Sequence, residues 1–153
     1  MLRPLVRQHG AITLSVEVGP GLPPALADGD RLRQILANLV RNAARHTPEG
    51  GIIALAAGAE EGWVVITVAD TGEGIAPEHL PRIFEPFYRA DPARSRAAGG
   101  AGLGLSIVSE FVQLMGGHVT AASTVGEGSC FRVYLPRVTG AAGAAATATQ
   151  SPG

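Results

Sequence analysis

The sequence predicts a single domain that combines α-helices and β-strands. A length of 153 residues is enough for one compact domain with its own core. Several runs alternate apolar and polar side chains, with the period of two expected of half-buried strands. Two other stretches repeat their apolar residues every three or four positions, as amphipathic helices do. Together these patterns place the chain in the α/β class.

The first half of the chain predicts a strand, a helix and a hairpin, in that order. Residues 11–18 alternate apolar and polar positions as a strand does. Residues 30–46 predict a helix, because their apolar positions share one face and Asp28 or Asp30 can cap its start. Residues 52–58 and 63–69 are strand-like and are joined by a polar turn, so we expect a hairpin there.

The second half predicts a long loop, a second helix and two more strands. Residues 70–101 contain four prolines and only a short helical piece near 78–84, and loops this long are usually functional or disordered. Apolar spacing then predicts a helix that ends at Gly116-Gly117, followed by strands at 118–123 and 129–135. We expect residues 1–10 to be a linker or a helix end and residues 138–153 to be a disordered tail.

Composition argues against several functions. A formal net charge of -1 provides no broad basic surface, so we expect no nucleic-acid partner. No apolar run approaches the roughly 20 residues that cross a bilayer, and the first residues do not resemble a signal peptide, so we expect a cytoplasmic chain without membrane contact. All 12 basic residues are Arg, so phosphate contacts would have to come from Arg or from backbone amides.

The segment Asp70-Thr71-Gly72-Glu73-Gly74-Ile75 follows directly on a predicted strand. A carboxylate at a strand end can accept a hydrogen bond from the exocyclic amine of adenine, while Gly72 and Gly74 let the backbone approach the ring and ribose. Guanine presents a carbonyl at that position, so Asp70 would discriminate against it. The alternative is a strand-ending turn in which the glycines only supply positive φ.

A second glycine-rich segment, residues 99–105, leads into the second predicted helix. Its backbone N–H groups would lie at the positive end of the helix dipole, which suits a phosphate chain. The segment matches neither the P-loop nor the dinucleotide-binding pattern, and a flexible loop tip is the alternative.

Asn38 and Asn42 are four residues apart on the first predicted helix and therefore share a face. Their amide oxygens can hold Mg²⁺, and Arg45, one turn after Asn42, can then meet phosphate. The alternative is that both asparagines are simply solvated.

These three segments, together with the aromatic segment at residues 83–89, occur along the chain in the order of four motifs of one protein family. The sequence resembles the catalytic, ATP-binding domain of bacterial sensor histidine kinases, a branch of the GHKL superfamily that also includes gyrase, mismatch-repair and chaperone ATPases. Its N box is similar to residues 38–48, its G1 box to 70–75, its F box to 83–89 and its G2 box to 100–105. The resemblance implies a two-layer α/β sandwich over residues 11–137, with helices on one face of a mixed, mostly antiparallel sheet. ATP would lie under a lid of about residues 76–101.

The resemblance also implies roles for individual residues. Asp70 would bind adenine, Asn42 with Asn38 would hold Mg²⁺, and Arg45 and Arg89 would contact the phosphates. Phe84 and Phe87 would anchor the lid against the core, or would simply be core aromatics. The remaining residues expected around ATP are Gly72, Gly74, Ile75, Gly100, Gly102, Leu103, Gly104, Leu105 and Ser129.

The identity of Asn38 favours phosphate transfer over hydrolysis. Hydrolytic members of the superfamily carry a general-base Glu at this position, and a neutral Asn cannot take a proton from water. No histidine of this chain has the setting of a phosphate acceptor, so we expect a histidine kinase whose acceptor lies on a separate dimerisation domain, with a response regulator downstream. The isolated domain should be a monomer and could be the cytosolic portion of a membrane-bound sensor. Two alternatives stay open: a nucleotide-sensing regulatory module, and a serine kinase of a regulatory protein.

Overall fold

The computed structural model describes residues 5–9, 12–25, 27–88 and 104–138. These ranges contain six strands, two α-helices and one short 3-10 turn, Leu80–Arg82. In chain order the main elements are β1 (Leu5–His9), β2 (Ile12–Val18), α1 (Gly29–His46), β3 (Ile52–Glu60), β4 (Trp63–Asp70), α2 (Gly104–Leu114), β5 (His118–Thr124) and β6 (Gly128–Pro136).

The six strands form one mixed sheet in the order β1-β2-β3-β4-β6-β5. β2 and β3 are parallel, and the other neighbouring pairs in the sheet are antiparallel. Parallel neighbours need a long crossover connection, which α1 provides between β2 and β3. α1 and α2 contact each other and share one core with the sheet. The predicted two-layer sandwich with a mostly antiparallel sheet is thus confirmed.

Helix α1 begins at a side-chain cap and buries one face. The carboxylate of Asp28 accepts hydrogen bonds from the backbone amides of Asp30 at 2.9 Å and Arg31 at 3.2 Å. Ile35, Leu39 and Ala43, spaced four residues apart, are almost fully buried. The sequence patterns therefore predicted this helix and one of its two candidate caps correctly.

The core lies between the helix pair and the facing side of the sheet. Each fully buried aliphatic or aromatic side chain in it contributes on the order of 1.5–3 kcal/mol. Its buried members are Ile35, Leu39, Ala43, Ile53, Val68, Ile83, Val108, Val112, Phe131, Val133 and Leu135. Because residues two apart on a strand face the same side, Asp70 lies on the same face as Val68, at the edge of this core.

Two boundaries predicted from the sequence were wrong. Residues 5–9 form β1, which pairs antiparallel with β2, instead of a linker or a helix end. β1 supplies hydrogen-bond partners for the backbone groups of β2 on the side that β3 does not cover. The helical piece expected near residues 78–84 is limited to the 3-10 turn Leu80–Arg82, with Pro81 at its start, where a missing N–H is tolerated.

Residues 139–153, which hold almost all of the predicted tail, lie outside the described residues. Within the described ranges, no helix is both long enough and apolar enough to cross a membrane.

Candidate functional site

Asp70 ends β4 with its side chain held in place by the backbone around it. The residue is 8% exposed, and its Oδ1 accepts a hydrogen bond from the Gly72 amide at 2.8 Å. Burial raises the pKa of Asp70 above its ordinary value of 3.8, while hydrogen bonds from the Gly72 and Ser129 amides and the charge of His46 lower it. The result is a buried, oriented acceptor at the end of a central strand.

Gly72 and Gly74 pack against the protein's own backbone. A Cβ at Gly72 would lie 2.5 Å from the carbonyl oxygen of His46 and 2.8 Å from Oδ1 of Asp70. A Cβ at Gly74, where φ is 79°, would lie 2.3 Å from the carbonyl oxygen of Thr124. The predicted approach of a nucleotide to these glycines stays a prediction, but internal packing already requires glycine at both positions.

Hydrogen bonds join the G1 segment, residues 70–75, to two neighbouring elements. The Glu73 amide donates to the carbonyl oxygen of His46 at 3.2 Å, and Nδ1 of His46 lies 2.9 Å from Oε1 of Glu73. On the other side, the Gly126 amide donates to the carbonyl oxygen of Glu73 at 2.8 Å, and the Ile75 amide donates to Oγ of Ser123 at 2.7 Å. The last turn of α1 and the β5–β6 turn therefore fix this segment from both sides.

The N-box residues lie on α1, close to this segment. Asn38, Asn42 and Arg45 are all partly exposed and follow one another at helical spacing. Oδ1 of Asn38 accepts a hydrogen bond from the guanidinium of Arg41 at 3.0 Å. Asn42 lies roughly 6 Å along the helix axis before His46, whose carbonyl contacts the G1 segment. The structure thus places Asn42 about one helical turn before the residue that contacts the G1 segment, and it pairs the Asn38 side chain with Arg41.

The F-box aromatics differ in environment. Phe84 packs edge-on against the core ring of Phe131, with ring centroids 6.1 Å apart. Phe87 is 70% exposed, so the prediction that it anchors the lid or belongs to the core was wrong. Its backbone lies in the left-handed region at φ 65°, which is uncommon for a residue other than glycine.

The first part of the predicted lid, residues 76–88, is stabilised by its own side chains. The Arg82 guanidinium lies 4.6 Å from the centroid of the Tyr88 ring and 3.1 Å from Oε1 of Glu85. Nδ1 of His79 makes a hydrogen bond with the Tyr88 hydroxyl. Residues 79–88 therefore form a turn held together by contacts among their own side chains.

Part of the predicted phosphate region lies outside the described residues, namely Arg89, Gly100, Gly102 and Leu103. Gly104 is the first residue of α2, and Leu105 packs against the core from the first turn of that helix. The G2 segment therefore does lead into a helix N-terminus, as the sequence predicts.

Sequence reasoning did not identify His46 or Ser123 as parts of this site. His46 meets Glu73 across 27 residues, and Ser123 meets Ile75 across 48 residues. No local signal marks such contacts, because they depend on how the strands and α1 pack. Ser129, which was predicted, lies opposite Asp70 in the β4–β6 register.

The fold and the order of its motifs define a GHKL-type domain, and comparison with known proteins agrees. Residues 27–139 match the family model described as "Histidine kinase-, DNA gyrase B-, and HSP90-like ATPase". The sensor protein SrrB of Staphylococcus aureus is 42% identical over 110 residues, which make up 72% of this chain and 19% of SrrB. The chain belongs to the histidine kinase-, DNA gyrase B- and HSP90-like ATPase family.

Solved structures share the same fold. Full-length ShkA in complex with AMPPNP superposes with a TM-score of 0.75 at 43% identity, over 88% of this chain and 27% of ShkA. The mycobacterial sensor histidine kinase MprB has a TM-score of 0.71 at 28% identity, over 83% of each chain. The nucleotide-free catalytic domain of the histidine kinase ThkA has a TM-score of 0.71 at 29% identity, over 83% of this chain and 81% of that one.

Proposed function

We propose that this chain binds ATP with Mg²⁺ and transfers the γ-phosphoryl group to a histidine on a separate helical domain of a sensor histidine kinase. The observation that carries the proposal is the buried Asp70 carboxylate, held by backbone amides beside the last turn of α1. Family membership supports it, as do relatives that are themselves named as a sensor protein and as sensor histidine kinases.

Asp70 would select adenine by accepting a hydrogen bond from its exocyclic amine. One oxygen of the carboxylate is already committed to the Gly72 amide, which fixes the direction of the other. A 6-oxo base would place a second acceptor against this carboxylate. A buried polar group without a partner costs about 1–3 kcal/mol, which corresponds to roughly a tenfold to hundredfold loss of affinity.

Asn42 is the residue best suited to hold Mg²⁺. No described residue engages its side chain, whereas Oδ1 of Asn38 accepts from Arg41. Among the described residues, no group of three or more His, Cys, Asp or Glu could hold a metal, so the ion would depend on an amide oxygen together with phosphate oxygens. When bound, Mg²⁺ would neutralise charge on the phosphates. Arg45, on the turn after Asn42, would add positive charge, with Arg89 a further candidate.

Phosphoryl transfer requires an acceptor from outside this domain. The lone pair of one imidazole nitrogen forms the N–P bond while the bond from phosphorus to the bridging oxygen breaks, ADP leaves with the electron pair of that bond, and the proton on the other ring nitrogen passes to water. His46 pairs with Glu73, His79 pairs with Tyr88, and His118 stacks on Tyr134. These engaged side chains support an acceptor on a partner domain in the cytoplasm, with a response regulator downstream.

Titration of a fluorescent ATP analogue, with and without Mg²⁺, tests the adenine site. Asp70→Asn should weaken binding at least about tenfold, because an Asn that accepts from Gly72 turns its NH₂ group toward the adenine amine. Asp30→Asn is the matched control, since the Asp30 side chain is 93% exposed and lies 3.5 Å from Arg33. Equal affinity of the native chain and Asp70→Asn would remove Asp70 from the site.

Phosphate transfer is tested by adding a purified histidine-bearing helical domain of a sensor kinase and labelled ATP. Acid-labile phosphate on that domain is the expected result. Acid-stable phosphate would indicate a serine kinase instead. Partner association that depends on ATP but produces no transfer would indicate a regulatory module.

A further inference from the structure

Ser123 on β5 makes three polar contacts. In the sheet, β6 lies between β5 and β4, the strand that Asp70 ends. Oγ of Ser123 lies 2.7 Å from the Ile75 amide nitrogen, 2.8 Å from the carbonyl oxygen of Gly128 and 2.9 Å from Oγ of Ser129. The side chain is partly buried, and its contacts join the G1 segment and the first two residues of β6 at one atom of β5.

The three contacts determine which hydroxyl donates. A serine hydroxyl has one proton and two lone pairs. The Ile75 amide can only donate, so it occupies one lone pair of Ser123. The Gly128 carbonyl can only accept, so the Ser123 hydroxyl donates its one hydrogen bond to it. The second lone pair of Ser123 remains for Ser129, which must therefore donate. The reverse direction would leave two oxygens 2.8 Å apart with no proton between them.

With its proton committed to Ser123, the Ser129 hydroxyl can only accept from any further group. Ser129 lies opposite Asp70 in the sheet, and its backbone amide donates to the Asp70 carboxylate. The Asp70 carboxylate and the Ser129 hydroxyl therefore present only acceptors at this end of the sheet. A 6-amino group, which carries two N–H donors, fits this pair, and a 6-oxo group, which can only accept, does not.

We propose that Ser123 is a positioning residue for base selection: by accepting the hydrogen bond of the Ser129 hydroxyl, it makes the site discriminate against 6-oxo purines beyond what Asp70 alone achieves. The inference rests on the proposed adenine role of Asp70. Without the Ser123 hydroxyl, the Ser129 hydroxyl rotates freely and donates to a 6-oxo group, so part of the discrimination disappears.

The test compares the dissociation constants of ATP and of inosine triphosphate, which carries a 6-oxo group in place of the amine and has the same sugar and phosphates. In Ser123→Ala the dissociation constant of inosine triphosphate divided by that of ATP should fall about threefold to tenfold, which corresponds to the free energy of one neutral hydrogen bond. If the role of Ser123 were merely structural, the substitution would weaken the binding of both nucleotides equally and leave the ratio unchanged. Ser123→Thr keeps the hydroxyl and should restore the native ratio.

Ser129→Ala provides a second route to the same answer should Ser123→Ala fold poorly. Removing the Ser129 hydroxyl should narrow the ratio as well, and adding Ser123→Ala to that variant should change it no further. A native ratio in Ser123→Ala, in Ser129→Ala or in both would overturn the inference, as would independent effects of the two substitutions. If the native chain and Asp70→Asn each bound ATP and inosine triphosphate with equal affinity, the proposed adenine site itself would be overturned.

Discussion

Replacing Gly74 with Ala tests how the G1 segment is packed against the turn between β5 and β6. The φ of 79° at Gly74 costs a residue with a Cβ about 1–2 kcal/mol. The new methyl group would also lie 2.3 Å from the carbonyl oxygen of Thr124, which is backbone and cannot rotate away, and overpacking of this kind costs about 1–3 kcal/mol. Gly74→Ala should therefore lower the free energy of unfolding by about 2–5 kcal/mol.

Gly126→Ala is the matched control for this substitution. Its φ of 84° is nearly the same, but no atom outside its immediate neighbours lies within 4 Å of the Cβ position. The free energy of unfolding of Gly126→Ala should fall only by the backbone contribution of about 1–2 kcal/mol. Urea unfolding followed by the fluorescence of the single tryptophan, Trp63, measures both variants. Equal losses would refute the argument that contact with Thr124 requires glycine at position 74.

Three further predictions concern charge and packing. Burial raises the pKa of Asp70 above 3.8 in the folded state. The contribution of Asp70 to the free energy of unfolding is therefore most favourable below pH 3.8 and is lost as pH rises through the folded pKa. Urea unfolding should therefore show the native chain losing stability relative to Asp70→Asn as pH rises above about 4, and a difference that stays constant with pH would contradict this. Leu39→Ala should cost about 2–5 kcal/mol by the same assay, since Leu39 is 0% exposed, and a loss below about 1 kcal/mol would contradict the packing described. His46 and Glu73 are more than a third exposed, so a double-mutant cycle with His46→Gln and Glu73→Gln should give a coupling free energy of unfolding below about 1 kcal/mol.

Local sequence patterns predicted the elements whose signals are contained within one segment. Helix α1 has both an apolar face and a capping Asp28, and β3 and β4 are strand-like runs on either side of a short polar turn. β1 was not predicted, because its strand conformation depends on pairing with β2 rather than on its own pattern. The exposed position of Phe87 and its left-handed backbone were also missed.

The candidate site divides in the same way. Asp70, Asn42 and the glycine segments could be located from the sequence, because their chemistry and their order along the chain are visible in it. The partners of Asp70 could not, since the Ser129 amide reaches it only through the β4–β6 register.

The amino-acid order by itself determined the class of fold and the type of polar group present at each motif. Only the tertiary structure decided which of these groups have their protons and lone pairs already engaged. Asn38 and Asn42 are the same residue type on the same helix, yet in the described structure Arg41 engages the first and no side chain engages the second. The Ser129 hydroxyl can only accept from a further group, because it already donates its one hydrogen bond to Ser123 on the neighbouring strand. Hydrogen bonds are directional and short, so their assignment depends on the packing of strands and helices that lie far apart in the sequence.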